Sequence, residues 1–193
     1  MEVNEAAPKY YPKMSPFEFL QWERQQEVKH EYFDGEIFAM AGASMNHNRI
    51  SSNLLGRTWN HLHGTSCNIY GSDLRISVKW RNSYFYTDAV IVCGEPEFDD
   101  EKIKDTLKNP VVIFEILSSS EDVGKKLMYY MQIQSLKQYI IIDSTKINVR
   151  VITRRMEEGT WKFSELMMPE ERLFIEPIDL WISVADLYEG VNL

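Results

Sequence analysis

Hydrophobic and polar positions change their period along the chain, and these changes predict an order of helices and strands. Ser15 and Pro16 form a cap and first-turn pair ahead of residues with helical spacing, which predicts a first helix ending near Val28. Asp34-Gly35 lies between two aromatic or apolar runs. This dipeptide predicts the tight turn of a short hairpin.

The middle of the chain combines a second helix with three strands. Apolar residues recur at helical spacing over residues 46–64. Residues 73–80 alternate between apolar and polar, which indicates a strand with one buried face. Residues 84–93 and 110–117 are almost continuously apolar, as in central strands that are covered on both faces. The polar and acidic segment between them, 94–109, is expected to form turns.

The last part of the chain repeats the mixture of helix and strand. Residues 119–134 are predicted to form a helix capped by a serine. Strands are expected at 138–143, at 147–153 and near 160–167, followed by a short helix near 183–188. This order predicts an α/β (α+β) fold in which helices flank a mixed central sheet.

Size and composition are those of one domain. For a chain of 193 residues we expect a flexible lead-in over residues 1–13 and a single domain over 14–193. Cys67 and Cys93 are not at metal-site spacing, so we expect two buried thiols in a reducing compartment. We find neither a run of about 18 apolar residues, as a membrane span requires, nor a secretory signal pattern. These features predict a cytoplasmic protein without membrane contact.

The acidic balance limits the kind of nucleic-acid binding that is expected. The formal net charge is −8. Because cationic contacts to phosphate supply most nonspecific affinity, this charge argues against a protein that coats nucleic acid regardless of sequence. A local basic groove remains compatible with it.

Two acidic residues interrupt the most apolar predicted strands. Asp88 lies in segment 84–93 and Glu115 in segment 110–117. A buried carboxylate is costly unless it is paired or bound to a metal, and two neighbouring carboxylates also repel each other. A divalent cation between them would relieve that repulsion, and oxygen ligands of this kind suit Mg²⁺ or Mn²⁺. The alternative is that each carboxylate lies at a strand end and accepts hydrogen bonds from loop amides.

Several motifs follow one another in a fixed order between about Met14 and Arg154. They are His30–Glu36, Met45–Asn48, Tyr86–Val90, Asn109–Ser118, Asp122–Leu127 with Tyr130, and Gln138–Asp143. Taken together, these segments resemble the Uma family of restriction endonucleases, within the PD-(D/E)XK nuclease superfamily. This resemblance implies a restriction-endonuclease-like fold and a Mg²⁺-dependent endonuclease acting on DNA. It also favours a homodimer, because cutting two strands with one site each suits two-fold pairing.

The chain departs from the superfamily pattern at two positions. Thr87 replaces the proline that usually precedes the aspartate, a change that affects backbone shape and leaves the chemistry intact. Leu117 stands where a lysine is expected two residues after the glutamate. In the Uma family this lysine lies on the following helix, and Lys126 matches it there. The competing Lys125 is turned by about 100° around that helix.

The resemblance implies the roles of the central residues. Asp88 and Glu115 would hold the metal, with the backbone carbonyl of Ile116 as a further ligand. The metal would lower the pKa of a bound water and neutralise charge on the phosphate. Lys126 would orient that water or stabilise the transition state.

Two further residues are implied at the edge of the site. Glu31 would bind a second metal or orient a water, or else lie in solvent beside the hairpin turn. Glu36 is the alternative acid and is expected on the opposite face of the hairpin. His47 would contact substrate phosphate or assist proton transfer. The alternative for His47 is an ordinary residue at a helix cap.

Two other functions are compatible with the same residues. One is a catalytically decayed nuclease-fold protein that binds nucleic acid or a protein partner. The other is a nuclease acting on RNA or associated with mobile elements. The intact set of Asp88, Glu115 and Lys126 favours an enzyme, whereas the acidic balance mildly favours the non-catalytic protein.

Overall fold

The structure is a computed structural model that describes residues 11–117, 123–155 and 159–193. The α-helices in these ranges are α1 (Pro16–Glu23), α2 (Met45–Leu62), α3 (Val123–Tyr130) and α4 (Val184–Leu187). The strands are β1 (His30–Phe33), β2 (Glu36–Ala39), β3 (Cys67–Gly71), β4 (Arg75–Val78), β5 (Ser83–Tyr86), β6 (Ala89–Cys93), β7 (Thr106–Leu107), β8 (Val112–Leu117), β9 (Gln138–Asp143), β10 (Val149–Arg155), β11 (Thr160–Leu166), β12 (Arg172–Ile175) and β13 (Leu180–Ser183). Residues 1–10 of the lead-in predicted over 1–13, and the serine cap predicted before α3, lie outside the described residues.

Two larger sheets form the framework. Strands β2, β1, β5, β4 and β7 pair in that order in one sheet, and β11, β10, β9, β8, β6 and β3 pair in the other. Strands β12 and β13 form a separate antiparallel pair. Because β8 runs parallel to β9 and antiparallel to β6, the second sheet is mixed, as predicted. Its parallel pair requires a crossover connection, and α3 lies in that connection.

The six-stranded sheet is apolar on both faces. One face packs against α2, α4 and the β12–β13 pair, and Phe114 belongs to this core. The other face packs against α3 and the five-stranded sheet, and Ile113 belongs to that core. Successive residues of β6 and β8 alternate between the two cores, which explains why both strands are almost continuously apolar. In the described residues no helix is both long and apolar enough to span a membrane.

The predicted hairpin is confirmed. Strands β1 and β2 pair antiparallel with Phe33 opposite Glu36. Asp34 and Gly35 form the two-residue turn with φ values of 46° and 97°. Positive φ at both positions gives a turn whose twist matches that of the strands it joins.

The single strand predicted over 84–93 is wrong. Strand β5 ends at Tyr86 in the five-stranded sheet, and β6 begins at Ala89 in the six-stranded sheet. Both strands are buried, so hydrophobicity alone does not reveal the change of sheet. The connection between them consists of Thr87 and Asp88, and it brings Asp88 to the junction of the two sheets.

Other predicted bounds also differ from the structure. Helix α3 ends at Tyr130 and does not reach residue 134. Helix α1 ends at Glu23 and does not reach Val28. The buried Glu23 carboxylate accepts a hydrogen bond from the His30 backbone at 2.9 Å, which ties the turn after α1 to β1. Segment 94–109, expected to form turns, contains the two-residue strand β7, which pairs with β4.

The expectation of two free thiols is also wrong. Cys67 and Cys93 are joined by a disulfide. They lie directly opposite each other in the antiparallel pair β3–β6. Because the sequence did not predict β3, it could not predict this register or the contact between the two cysteines.

Candidate active site

Asp88 lies between the two sheets, beside β8. Its Oδ2 accepts a hydrogen bond from the Ile116 N–H at 2.6 Å, and its Oδ1 lies 2.9 Å from Nε2 of His47. The carboxylate is therefore held by a backbone group of β8 and a side chain of α2. The alternative interpretation was that Asp88 is a strand-end carboxylate bonded to backbone amides. The contact with the Ile116 N–H fits that interpretation, whereas the contact with His47 does not.

Glu115 lies on β8, on the side of the sheet that faces α3. The last paired residues of β6 and β8 are Ala89 and Phe114, so the next step of the register sets Asp88 opposite Glu115. Both residues therefore lie at the same end of the β6–β8 pair, close enough for the charge of Asp88 to raise the pKa of Glu115. The Asp88 carboxylate itself contacts the Ile116 N–H and the His47 side chain of α2.

Two donors from α3 contact the Glu115 carboxylate. The Tyr130 hydroxyl donates to Oε1 at 2.9 Å, and Nζ of Lys126 lies 3.4 Å from the same oxygen. Burial raises the pKa of Glu115 to about 8, with Lys126 opposing the rise and the charges of Asp88 and Glu31 adding to it. The loss of solvation on burial therefore outweighs the stabilisation that the Lys126 ammonium gives to the charged carboxylate.

Lys126 extends from α3 into a gap between two acids. Its Nζ lies 2.6 Å from Oε1 of Glu31 and 3.4 Å from Oε1 of Glu115. Burial alone would lower the pKa of Lys126, but the two carboxylates raise it above its ordinary value. Lys125, one position earlier, is exposed. The helix thus presents one of its two adjacent lysines to the site.

Glu31 is the third carboxylate of the site, and it lies on β1. It is buried, with 8% of its surface exposed. Glu36 is exposed. The expectation that Glu36 points to the opposite face of the hairpin is wrong, because the register pairs it with Phe33, two residues from Glu31 on the same face. The two acids share a face of the hairpin and differ in exposure, since Glu31 is buried and Glu36 lies in solvent.

His47 lies at the N-terminus of α2, as the helix-cap interpretation expects, and its side chain also reaches Asp88. Its backbone N–H donates to the Ser44 hydroxyl that caps α2, at 3.2 Å. Its side chain meanwhile contacts Asp88. Burial would lower the pKa of His47, but the hydrogen bond to Asp88 and the charge of that residue raise it.

Tyr130 is a residue of the site to which the sequence analysis gave no role, although it belongs to the segments that match the family. It is fully buried, yet its hydroxyl reaches Glu115. Tyr130 follows Lys126 by four positions, and such residues lie on the same face of a helix. That spacing was the available signal that Tyr130 accompanies the lysine into the site.

A second buried polar network lies behind the hairpin. Glu23 contacts Nδ1 of His30 at 3.0 Å and accepts from the Tyr86 hydroxyl at 3.1 Å. Arg75 donates to the Tyr86 hydroxyl at 2.9 Å and forms an ion pair with Asp105. His30 precedes Glu31 on β1, and Tyr86 ends β5 two residues before Asp88, so the network braces β1 and the end of β5 that leads to Asp88.

The donor set fits a hard divalent cation. In the ranges that the structure describes, no group of three or more His, Cys, Asp and Glu side chains could hold a metal. Magnesium is usually held by one or two carboxylates, together with waters and substrate phosphate. Asp88, Glu115 and the Ile116 carbonyl supply such oxygens, and a bound cation would stabilise the charged form of the buried Glu115 carboxyl.

The two sheets, the crossover helix and the site define a protein of the restriction-endonuclease-like fold. A crystal structure of "a putative nuclease belonging to DUF820" from Anabaena variabilis has the same fold. It matches with a TM-score of 0.76 and 16% identity, over 93% of this chain and 99% of that chain.

The chain belongs to the Uma2 family, whose model, described as "putative restriction endonuclease", matches residues 16–185. Two relatives from Synechocystis sp. are each 35% identical to it. The uncharacterized protein slr1290 matches over 94% of both chains. The uncharacterized protein sll1609 matches over 78% of this chain and 85% of its own length. Family and fold together indicate a nuclease.

Proposed function

We propose that this protein is a metal-dependent endonuclease that hydrolyses phosphodiester bonds in DNA. The observation that carries the proposal is the position of Lys126. The chain lacks the usual lysine after Glu115, yet Lys126 reaches the Glu115 carboxylate from α3. Lys126 thus lies beside the carboxylates of Glu115 and Glu31, where an ammonium group can stabilise negative charge that develops on a phosphate.

In the proposed site, Asp88 and Glu115 hold Mg²⁺ or Mn²⁺, with the Ile116 carbonyl as a further ligand. When bound, the cation supplies a water of lowered pKa and positive charge against the phosphate. His47 keeps the Asp88 carboxylate in place through its contact with Oδ1.

The Lys126 ammonium is held against Glu31 at 2.6 Å, so it is fixed beside Glu115, 3.4 Å from Oε1 of that residue. In this position it can donate to a phosphate oxygen as negative charge develops there. Hydrolysis forms a bond from the water oxygen to phosphorus and breaks one phosphorus–ester oxygen bond. Water loses a proton and the leaving oxygen gains one, so the reaction consumes water alone.

DNA as the substrate is supported by membership of a family whose model is described as "putative restriction endonuclease". A homodimer is part of the same proposal, because two copies related by a two-fold axis would bring one site to each strand. A catalytically decayed protein that only binds nucleic acid or a protein partner is the competing function. The net charge of −8 is the observation that favours this competitor.

The test compares two adjacent lysines. Lys126→Ala should reduce Mg²⁺-dependent cleavage of plasmid and oligonucleotide DNA by about 10²–10³-fold, as expected for loss of one transition-state donor. It should leave the folded structure largely intact. Lys125→Ala is the matched control and should cleave like the wild type, because that side chain is exposed. Equal effects of the two substitutions would contradict the assignment and favour the non-catalytic function.

A further inference from the structure

The Glu115 carboxylate is contacted unevenly by its neighbours. Within the described part of the chain, both of its side-chain contacts end on Oε1, from the Tyr130 hydroxyl at 2.9 Å and from Lys126 at 3.4 Å. The tyrosine contact is the shorter of the two. Lys126 is closer to Glu31, at 2.6 Å, than to Glu115. The tyrosine therefore fixes the orientation of the carboxylate more firmly than the lysine does.

Tyr130 is itself held rigidly. Its ring is fully buried and lies edge-on to Phe85 and Tyr139, with centroid distances of 5.6 Å and 5.1 Å. Its position four residues after Lys126 places both donors on one face of α3. A buried aromatic ring has little rotational freedom, so its hydroxyl is a fixed point from which the carboxylate can be oriented.

We infer that Tyr130 is a positioning residue. Its hydroxyl keeps Oε1 of Glu115 bonded to the two α3 donors, Tyr130 and Lys126, and so leaves Oε2 to bind the divalent cation. This inference rests on the proposed function of the site. Groups that hydrogen-bond a metal-binding carboxylate orient it, and their removal lowers metal affinity or activity by about 10–100-fold. Without the hydroxyl, the carboxylate would keep only the longer contact with Lys126 and could rotate.

The test uses a substitution that removes one oxygen atom and keeps the ring. Tyr130→Phe should raise the dissociation constant of Mn²⁺, measured by calorimetry without DNA, by about 10–100-fold. At saturating metal it should lower kcat for cleavage and leave KM for DNA nearly unchanged, because the hydroxyl orients a metal ligand and does not bind substrate.

Tyr139→Phe is the matched control. Tyr139 is as deeply buried as Tyr130 and touches its ring, but its hydroxyl makes no hydrogen bond to Glu115 in the described residues. This variant should keep the wild-type metal affinity and kcat. If both variants lose the same amount of metal affinity, the effect is one of packing, and the positioning inference is wrong.

A measurement without metal separates this inference from the proposed function. With ¹³C-labelled glutamate, the Glu115 carboxyl resonance, identified by its loss in Glu115→Gln, should shift in Tyr130→Phe and stay in place in Tyr139→Phe. If the wild type neither binds Mn²⁺ nor cleaves DNA, the proposed function fails, and this resonance alone decides the role of Tyr130. An unchanged resonance in Tyr130→Phe overturns the inference in every case.

A wild-type measurement covers the case in which Tyr130→Phe does not fold. The Tyr130 hydroxyl proton should be protected from exchange and should show a through-space contact with the Glu115 side chain. Absence of that contact in the folded wild-type protein would contradict the positioning role.

Discussion

Replacing Glu115 by glutamine should change how the stability of the metal-free protein depends on pH. Burial and the neighbouring acids raise the pKa of this carboxyl from 4.5 to about 8. Between these values the folded state keeps the proton and the unfolded state loses it. Folding then requires proton uptake, so the free energy of unfolding falls as the pH rises through this interval.

The size of the effect follows from the interval. When the folded and unfolded states differ by one proton, the free energy of unfolding changes by about 1.4 kcal/mol per pH unit. A rise of the Glu115 pKa from 4.5 to about 8 therefore limits the total change to about 5 kcal/mol. We expect a loss of about 2–5 kcal/mol in the wild type between about pH 5 and pH 9. Glu115→Gln removes this contribution. The raised pKa of His47 leaves a smaller slope of the same sign, because that ring must also lose its proton as the pH rises.

The assay is urea unfolding at several pH values in the presence of a chelator. Glu115→Gln should be more stable than the wild type at about pH 9, with the advantage shrinking towards about pH 5. Glu36→Gln is the control, since Glu36 is an exposed carboxylate on the neighbouring hairpin, and it should keep the wild-type slope. If the free energy of unfolding depended on pH in the same way in the wild type and in Glu115→Gln, the Glu115 carboxyl would not have the raised pKa on which this prediction rests.

Two other predictions concern the metal and the network behind the site. Mg²⁺ at about 100 times its dissociation constant should raise the free energy of unfolding by about 2.7 kcal/mol. Asp88→Asn should lose most of that gain in a thermal melt, and an equal gain in the variant would remove Asp88 from the metal site. Asp105→Ala should cost about 3 kcal/mol in urea unfolding, because it leaves the buried guanidinium of Arg75 without its ion-pair partner. A cost of about 0.5 kcal/mol, typical of a surface position, would contradict the buried-network interpretation.

The sequence predicts those elements in which one local pattern determines the structure. The Asp34-Gly35 hairpin and the fully buried strand β8 are such cases, because turn chemistry and continuous hydrophobicity are local properties. Strand β3 was missed because its residues are only partly buried and give no clear alternation. The break after Tyr86 was missed because burial in one sheet and burial in the other produce the same apolar pattern.

The candidate site shows the same limit more sharply. Two acids on apolar strands could be singled out by the cost of burying charge. The choice of Lys126 came from resemblance to a family, because a lysine on a helix is ordinarily a solvated surface residue. The contacts of Tyr130 and His47 depend on how α3 and α2 pack against β8 and its neighbours. A contact of that kind is set by tertiary structure, and residue spacing alone can indicate a shared helix face but not the partner.

The most direct test of a shared metal site at Asp88 and Glu115 is a crystal soaked with Mn²⁺ and measured for anomalous scattering. We predict a manganese peak with an oxygen of each carboxylate about 2.0–2.6 Å from it, and the Lys126 ammonium beside Glu115. A fully occupied peak elsewhere, or no peak near these residues at saturating Mn²⁺, would contradict the proposal that this site cleaves phosphodiester bonds with a metal.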